Sequence, residues 1–116
     1  MAQNDYHVVI FRILNYLYTQ LKDGAEVDCK KISANTLEIN ERYFNYIILE
    51  LINNNYITGA YPIEVPGANY TKCKITSNIN ITVKGIEYLT DNSFLDKAKK
   101  YLNLINKDII PFVKDI

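Results

Sequence analysis

Few residues in this chain of 116 have the types and spacing that catalysis needs. One histidine, His7, and two cysteines, Cys29 and Cys73, are its Cys and His candidates for ligating a metal or attacking a substrate. A structural zinc site draws four such ligands from close pairs, and these three stand isolated. A Ser-His-Asp relay would have to pass through His7, which sits among Tyr6, Val8 and Val9 at the start of an apolar helical pattern. A structural place on the helix, surface or half-buried, is therefore expected for it. The glycines at 24, 59, 67 and 85 never fall into a phosphate-cradling spacing. An enzyme is the least expected class, and no catalytic residue, metal or cofactor is anticipated.

The chemistry that remains is recognition. Arg42, Asn45 and Tyr46 lie within one helical segment, and arginine and asparagine are the side chains that pair bidentately with guanine and adenine edges, while a tyrosine can reach a phosphate. Lys30 and Lys31 before that segment, and Lys72 and Lys74 after it, could each meet a phosphate of duplex DNA. Against them stand Glu26, Glu38, Glu41 and Glu50, close in sequence to the same surface. Lys plus Arg number 13 and Asp plus Glu number 13, so no bulk positive charge attracts a polyanion and binding should be modest. Leu49 beside Tyr46 suits a protein partner as well, because aliphatic and aromatic anchors carry interface energy.

These side chains need elements to hold them, and a 48% hydrophobic content allows one domain over 1–116 with a real core. From 5 to 22, Val9, Ile10, Ile13, Leu14, Leu17 and Leu21 recur at three- and four-residue steps, and Gly24 sits where a helix cap belongs. A short helical stretch over 27–33, N-capped by Asp28, leads to Leu37 and Ile39 in a turn. Asn40 then caps a helix from Glu41 to Asn54 whose Phe44, Ile47, Ile48, Leu51 and Ile52 form the apolar face. This arrangement leaves Arg42, Asn45, Tyr46, Leu49 and Asn53 outside. Beyond Asn53, Asn54 and Asn55 the period changes to two, with strands at 56–58, 63–65 and 70–75, and Pro66-Gly67-Ala68-Asn69 as the turn. Tyr70, Lys72 and Lys74 share one face of the returning strand, and Thr71, Cys73 and Ile75 the other. Asn78 to Ile81 alternates again before Thr82, the N-cap expected for a helix through Leu89.

A last helix is expected over 93–110, opened by the Ser93–Asp96 capping pattern and closed before Pro111. Its Leu102, Ile105 and Ile109, with Phe112 beyond, would pack on the first helix or form a homodimer seam. No run approaches a membrane span, and the first five residues lack a signal-peptide layout, so a cytoplasmic location with reduced cysteines is expected.

Helix, short helix, turn, helix, hairpin and helix is the order of an α+β winged helix-turn-helix domain, here a core over 5–91 with a β-hairpin wing and an extra C-terminal helix. Leu51-Ile52-Asn53-Asn54-Asn55-Tyr56-Ile57 looks like the junction between a recognition helix and the first wing strand. Ile81-Thr82-Val83-Lys84-Gly85-Ile86-Glu87-Tyr88-Leu89 resembles the hydrophobic-Thr-x-Lys-Gly-x-x-x-Leu stretch that follows the wing in many winged-helix proteins. With the Asn92-Ser93 continuation, these patterns resemble the YjcQ family, small winged-helix-like proteins of Firmicutes and their phages, over roughly residues 5 to 110. The resemblance implies the fold and a phage or prophage setting, and it transfers no site residue. One departure is Glu38, where the helix-turn-helix turn often carries glycine, so a turn of different shape is expected. The expected function is modest duplex-DNA binding, with a winged-helix protein-interaction or assembly module as the rival.

Overall fold

The computed structural model describes residues 5–91. The expected helix over 93–110, with Leu102, Ile105, Ile109 and Phe112, lies outside the described residues. The elements run α1 (Asp5–Asp23), a 3₁₀ turn (Cys29–Lys31), α2 (Ala34–Leu37), α3 (Glu41–Asn53), β1 (Ile57–Ile63), β2 (Lys72–Ile81) and α4 (Val83–Leu89). Among the described residues no helix is long and apolar enough to cross a membrane.

α1 is the central post. Val8, Val9, Ile10, Phe11, Ile13, Leu14 and Leu17 are all buried, a wider face than one amphipathic stripe, because β2 and α4 both pack against this helix. Leu21, expected in the stripe, is 46% exposed, since the helix runs past the core there. Gly24 ends it with φ 66°, and the bonds Gly24 N–H to Leu21 O and Ala25 N–H to Gln20 O close a Schellman cap.

Asp28 caps the 3₁₀ turn by accepting from the Lys30 N–H at 3.0 Å. Where only a turn was expected, Ser33 caps a further single-turn helix, α2, by accepting from the Thr36 N–H. The link from α2 to α3 passes through Glu38 at φ 59° and ψ 42°. The turn thus keeps the left-handed shape that glycine usually provides, correcting the expectation of a different one. Asn40 caps α3 by accepting from the Tyr43 N–H at 2.8 Å, and Asn55 leaves the helix at φ 61°.

β1 and β2 form one antiparallel hairpin. The separate short strands expected from the sequence are joined by a bulge: Thr58 pairs with Asn80, but Ala60 pairs with Ile75, so Gly59 alone faces the excess residues of β2. Gly59 holds φ 79°, a Cβ there would strike the Asn78 carbonyl, and the Gly59 carbonyl accepts from Thr76 Oγ1 at 2.6 Å. Below the bulge Ile57, Ile79 and Ile81 are buried in the core with Ile32, Leu37, Phe44, Ile47, Ile48, Leu51 and Leu89. Above it the hairpin extends as a wing whose faces are half-buried or exposed. Helix-turn-helix plus wing, around α1 and α4, is the winged-helix arrangement.

Candidate nucleic-acid interface

α3 turns Phe44, Ile47, Ile48 and Leu51 into the core, which leaves Arg42 and Tyr46, one turn apart, on its outer side. Both are exposed, Tyr46 by 55%. Asn45 is not beside them. It is only 5% exposed, because the wing covers that flank of the helix, and both ends of its amide are engaged. Its Nδ2 donates to the Glu41 carbonyl at 2.8 Å and to Glu41 Oε2 at 3.3 Å, and its Oδ1 accepts from the Cys73 N–H at 2.8 Å. The expectation that Asn45 reads base edges from the outer face is therefore corrected: the side chain ties α3 to β2.

The tie has a consequence for the cations. Tyr70, two residues before β2 begins at the outer end of the wing, lies with its ring 5.7 Å from the Arg42 guanidinium carbon and 5.9 Å from Lys72 Nζ. One cation comes from the helix and one from the wing, and both lean on the same aromatic ring. An arginine held by a ring rather than by a carboxylate keeps N–H donors for a phosphate or a guanine edge. Lys74, two residues along from Lys72, is exposed and pairs across the hairpin with Tyr61. Lys30 and Lys31 are exposed on the 3₁₀ turn, which is held against β2 where Cys29 Sγ donates to the Thr76 carbonyl at 3.5 Å. Arg42, Lys72 and Tyr70 are thus gathered at one place, with Lys74 continuing along the strand. Sequence reading put Tyr70 on the face of Lys72 and Lys74 but gave it no part in the site, and that alternation was the available signal.

Two of the nearby carboxylates have identified neighbours. Glu41 is turned to Asn45, while Glu50 acts on Tyr6 of α1. Tyr6 has its hydroxyl pushed up first by burial and then by the nearby Glu50, Tyr46 and Tyr56. Next to it, Tyr56 and Tyr88 stack with ring centres 4.5 Å apart, and Lys84 Nζ lies 5.9 Å from the Tyr56 ring. His7 is half-buried, edge to face with Tyr6 at 5.5 Å. Cys73 packs against the core as its strand face predicts; its Sγ donates to the Asn45 carbonyl at 3.7 Å, and burial pushes the thiol up. Among the described residues no group of three His, Cys, Asp or Glu side chains is arranged to hold a metal.

The Thr82–Leu89 stretch acts as a fastener behind this surface. Thr82 Oγ1 accepts from the Gly85 N–H at 2.9 Å, capping α4, and donates to the Asn55 carbonyl at 2.6 Å. The Thr82 N–H donates to the Tyr56 carbonyl, and a Cβ at Gly85 would strike that carbonyl. Threonine and glycine in that motif thus clamp α4 onto the junction between α3 and β1, and Leu89 is fully buried below them.

Comparison with curated proteins finds no match to this chain, and comparison with solved structures finds none either. The model of one family, described as YjcQ protein, does match, over residues 11–109, a span that takes in α3, the wing and the Thr82–Leu89 clamp; the chain belongs to the YjcQ family.

Proposed function

We propose that this protein is a duplex-DNA-binding module of modest affinity, not an enzyme, and that α3 and the wing form its contact surface. The observation that supports the reading most is the Arg42–Tyr70–Lys72 cluster, in which the helix and the wing each contribute a cation to one ring. Arg42 and Tyr46 enter or border the groove, and Lys72, Lys74, Lys30 and Lys31 meet the phosphates. With Asn45 buried, the helix offers few base-reading groups, so backbone contacts outweigh sequence readout. A phage or prophage setting is part of the reading and rests on the family resemblance.

The test is fluorescence anisotropy of a labelled random-sequence duplex at rising salt, for the wild type and an Arg42→Ala, Lys72→Ala, Lys74→Ala variant. Each phosphate contact adds about 0.9 to the slope of log affinity against log salt, so the variant is expected to lose about 2 to 3 of that slope. No binding by the wild type at low salt overturns the reading. The protein-interaction module would then take its place, supported by the exposure of Tyr46 beside Tyr6.

A further inference from the structure

Asn45 is one of two buried polar side chains among the described residues, and it sits between the two cations of the candidate site. Along α3 it follows Arg42 by one turn; across the gap its partner, Cys73, is the neighbour of Lys72. The hairpin residue opposite Cys73 is Pro62, which fits a pair whose backbone groups face out of the ladder. The Cys73 N–H, in turn, is donated to Asn45 rather than across the ladder. At the level of Lys72 the wing is thus fastened to the helix by a side-chain amide. An amide suits the place because Oδ1 must accept from Cys73 while Nδ2 must donate to Glu41: an ionised carboxylate cannot donate, and a serine or threonine hydroxyl has a single oxygen on a shorter stem for two partners on opposite sides.

We infer that Asn45 is a positioning residue that locks the wing to the recognition helix and so holds Arg42 and Lys72 on Tyr70 as one cationic patch. Its consequence for binding rests on the DNA reading; the lock itself does not. Without the amide, the Cys73 N–H loses its acceptor, and among the described contacts the hydrogen bond left between β2 and α3 at that level is the one from the Cys73 thiol. The Cys73 thiol, donating to the Asn45 backbone carbonyl at 3.7 Å, is too weak a donor to replace it.

The experiment uses the full chain by NMR, with Asn45→Ala and, in case that variant does not fold, Asn45→Ser, whose hydroxyl is too short to reach Cys73. Two signals are read: hydrogen exchange of the Cys73 amide, and the upfield ring-current shift of the Arg42 side-chain protons caused by Tyr70, with Tyr70→Leu as the control that abolishes it. The expected result is Cys73 exchange about five- to tenfold faster, the change that follows from losing a bond worth about 1 to 1.5 kcal/mol, together with loss of the Arg42 shift. The salt slope for DNA should fall by about one although every cation is still present. A Cys73 amide that stays protected overturns the lock. Faster exchange with an unchanged Arg42 shift reduces Asn45 to a stabilising contact and overturns its positioning role. If the wild type binds no DNA, the functional reading fails, and the NMR signals still decide the lock.

Discussion

Glu38 and Asn55 both hold left-handed backbone without being glycine, at φ 59° and 61°. Their costs differ, because asparagine's short side chain tolerates this region and glutamate's does not. Glu38 is exposed, so replacing it removes no packing. Glu38→Gly is expected to raise stability by about 0.5–1 kcal/mol, read as a higher urea midpoint at constant slope, and an unchanged or lower midpoint contradicts the strain. Gly85 is the converse: alanine normally improves a helix interior, but here the Tyr56 carbonyl already occupies the space of a Cβ. Glu38 could be flagged from sequence because a turn position was involved. The burial of Asn45 could not, since its neighbours in the chain leave open whether another element covers that flank.

Elements were legible where their ends carry polar caps. Asp28, Asn40 and Thr82 are the N-caps that the sequence suggests, and α3 and α4 begin where those residues place them. α2 was missed because Ser33 is followed at the third position by Thr36 rather than by a capping-box glutamate or glutamine, and because four residues show no period. The continuous hairpin was missed because its bulge resets the alternation between Ile75 and Ile79. Among the caps, Thr82 has two tasks, since its hydroxyl also donates to the Asn55 carbonyl. Thr82→Val keeps the shape and removes both bonds; it should cost about 1–3 kcal/mol, and Thr82→Ser should recover most of that. Equal thermal stability of the valine and serine variants would show that the hydroxyl is not what holds α4 to the junction.

For the molecule as a whole, a net charge of zero conceals an uneven surface in which the cations of α3 and the wing converge on Tyr70 while Glu50 faces Tyr6. The tyrosine group between α1, β1 and α4 predicts an alkaline limit to stability. Burial, helped by Tyr6, Tyr56 and Asp91, pushes the Tyr88 hydroxyl from 10.0 up to about 12. Tyr6 is raised in the same direction. The folded state therefore keeps these protons more tightly than the unfolded one, so the stability they confer is complete below pH 10 and is lost as pH rises from about 10 towards 12. The melting temperature should hold steady up to that range and then fall, and Tyr88→Phe should make the fall shallower. An equally steep fall in the variant would place the alkaline sensitivity elsewhere.

By itself the sequence determined the fold class and the order of the longer helices around a hairpin, because apolar periodicity, caps and turn residues are local properties that neighbours in the chain enforce. It also indicated the residues from which a cationic surface could be made. Only the tertiary structure decided which of them share a place. Arg42 and Lys72 meet on Tyr70, and Asn45 turns inward, because β2 packs along one flank of α3. That contact joins residues far apart in the chain, and its geometry follows from how the bulged hairpin folds back on the core, which no local pattern encodes.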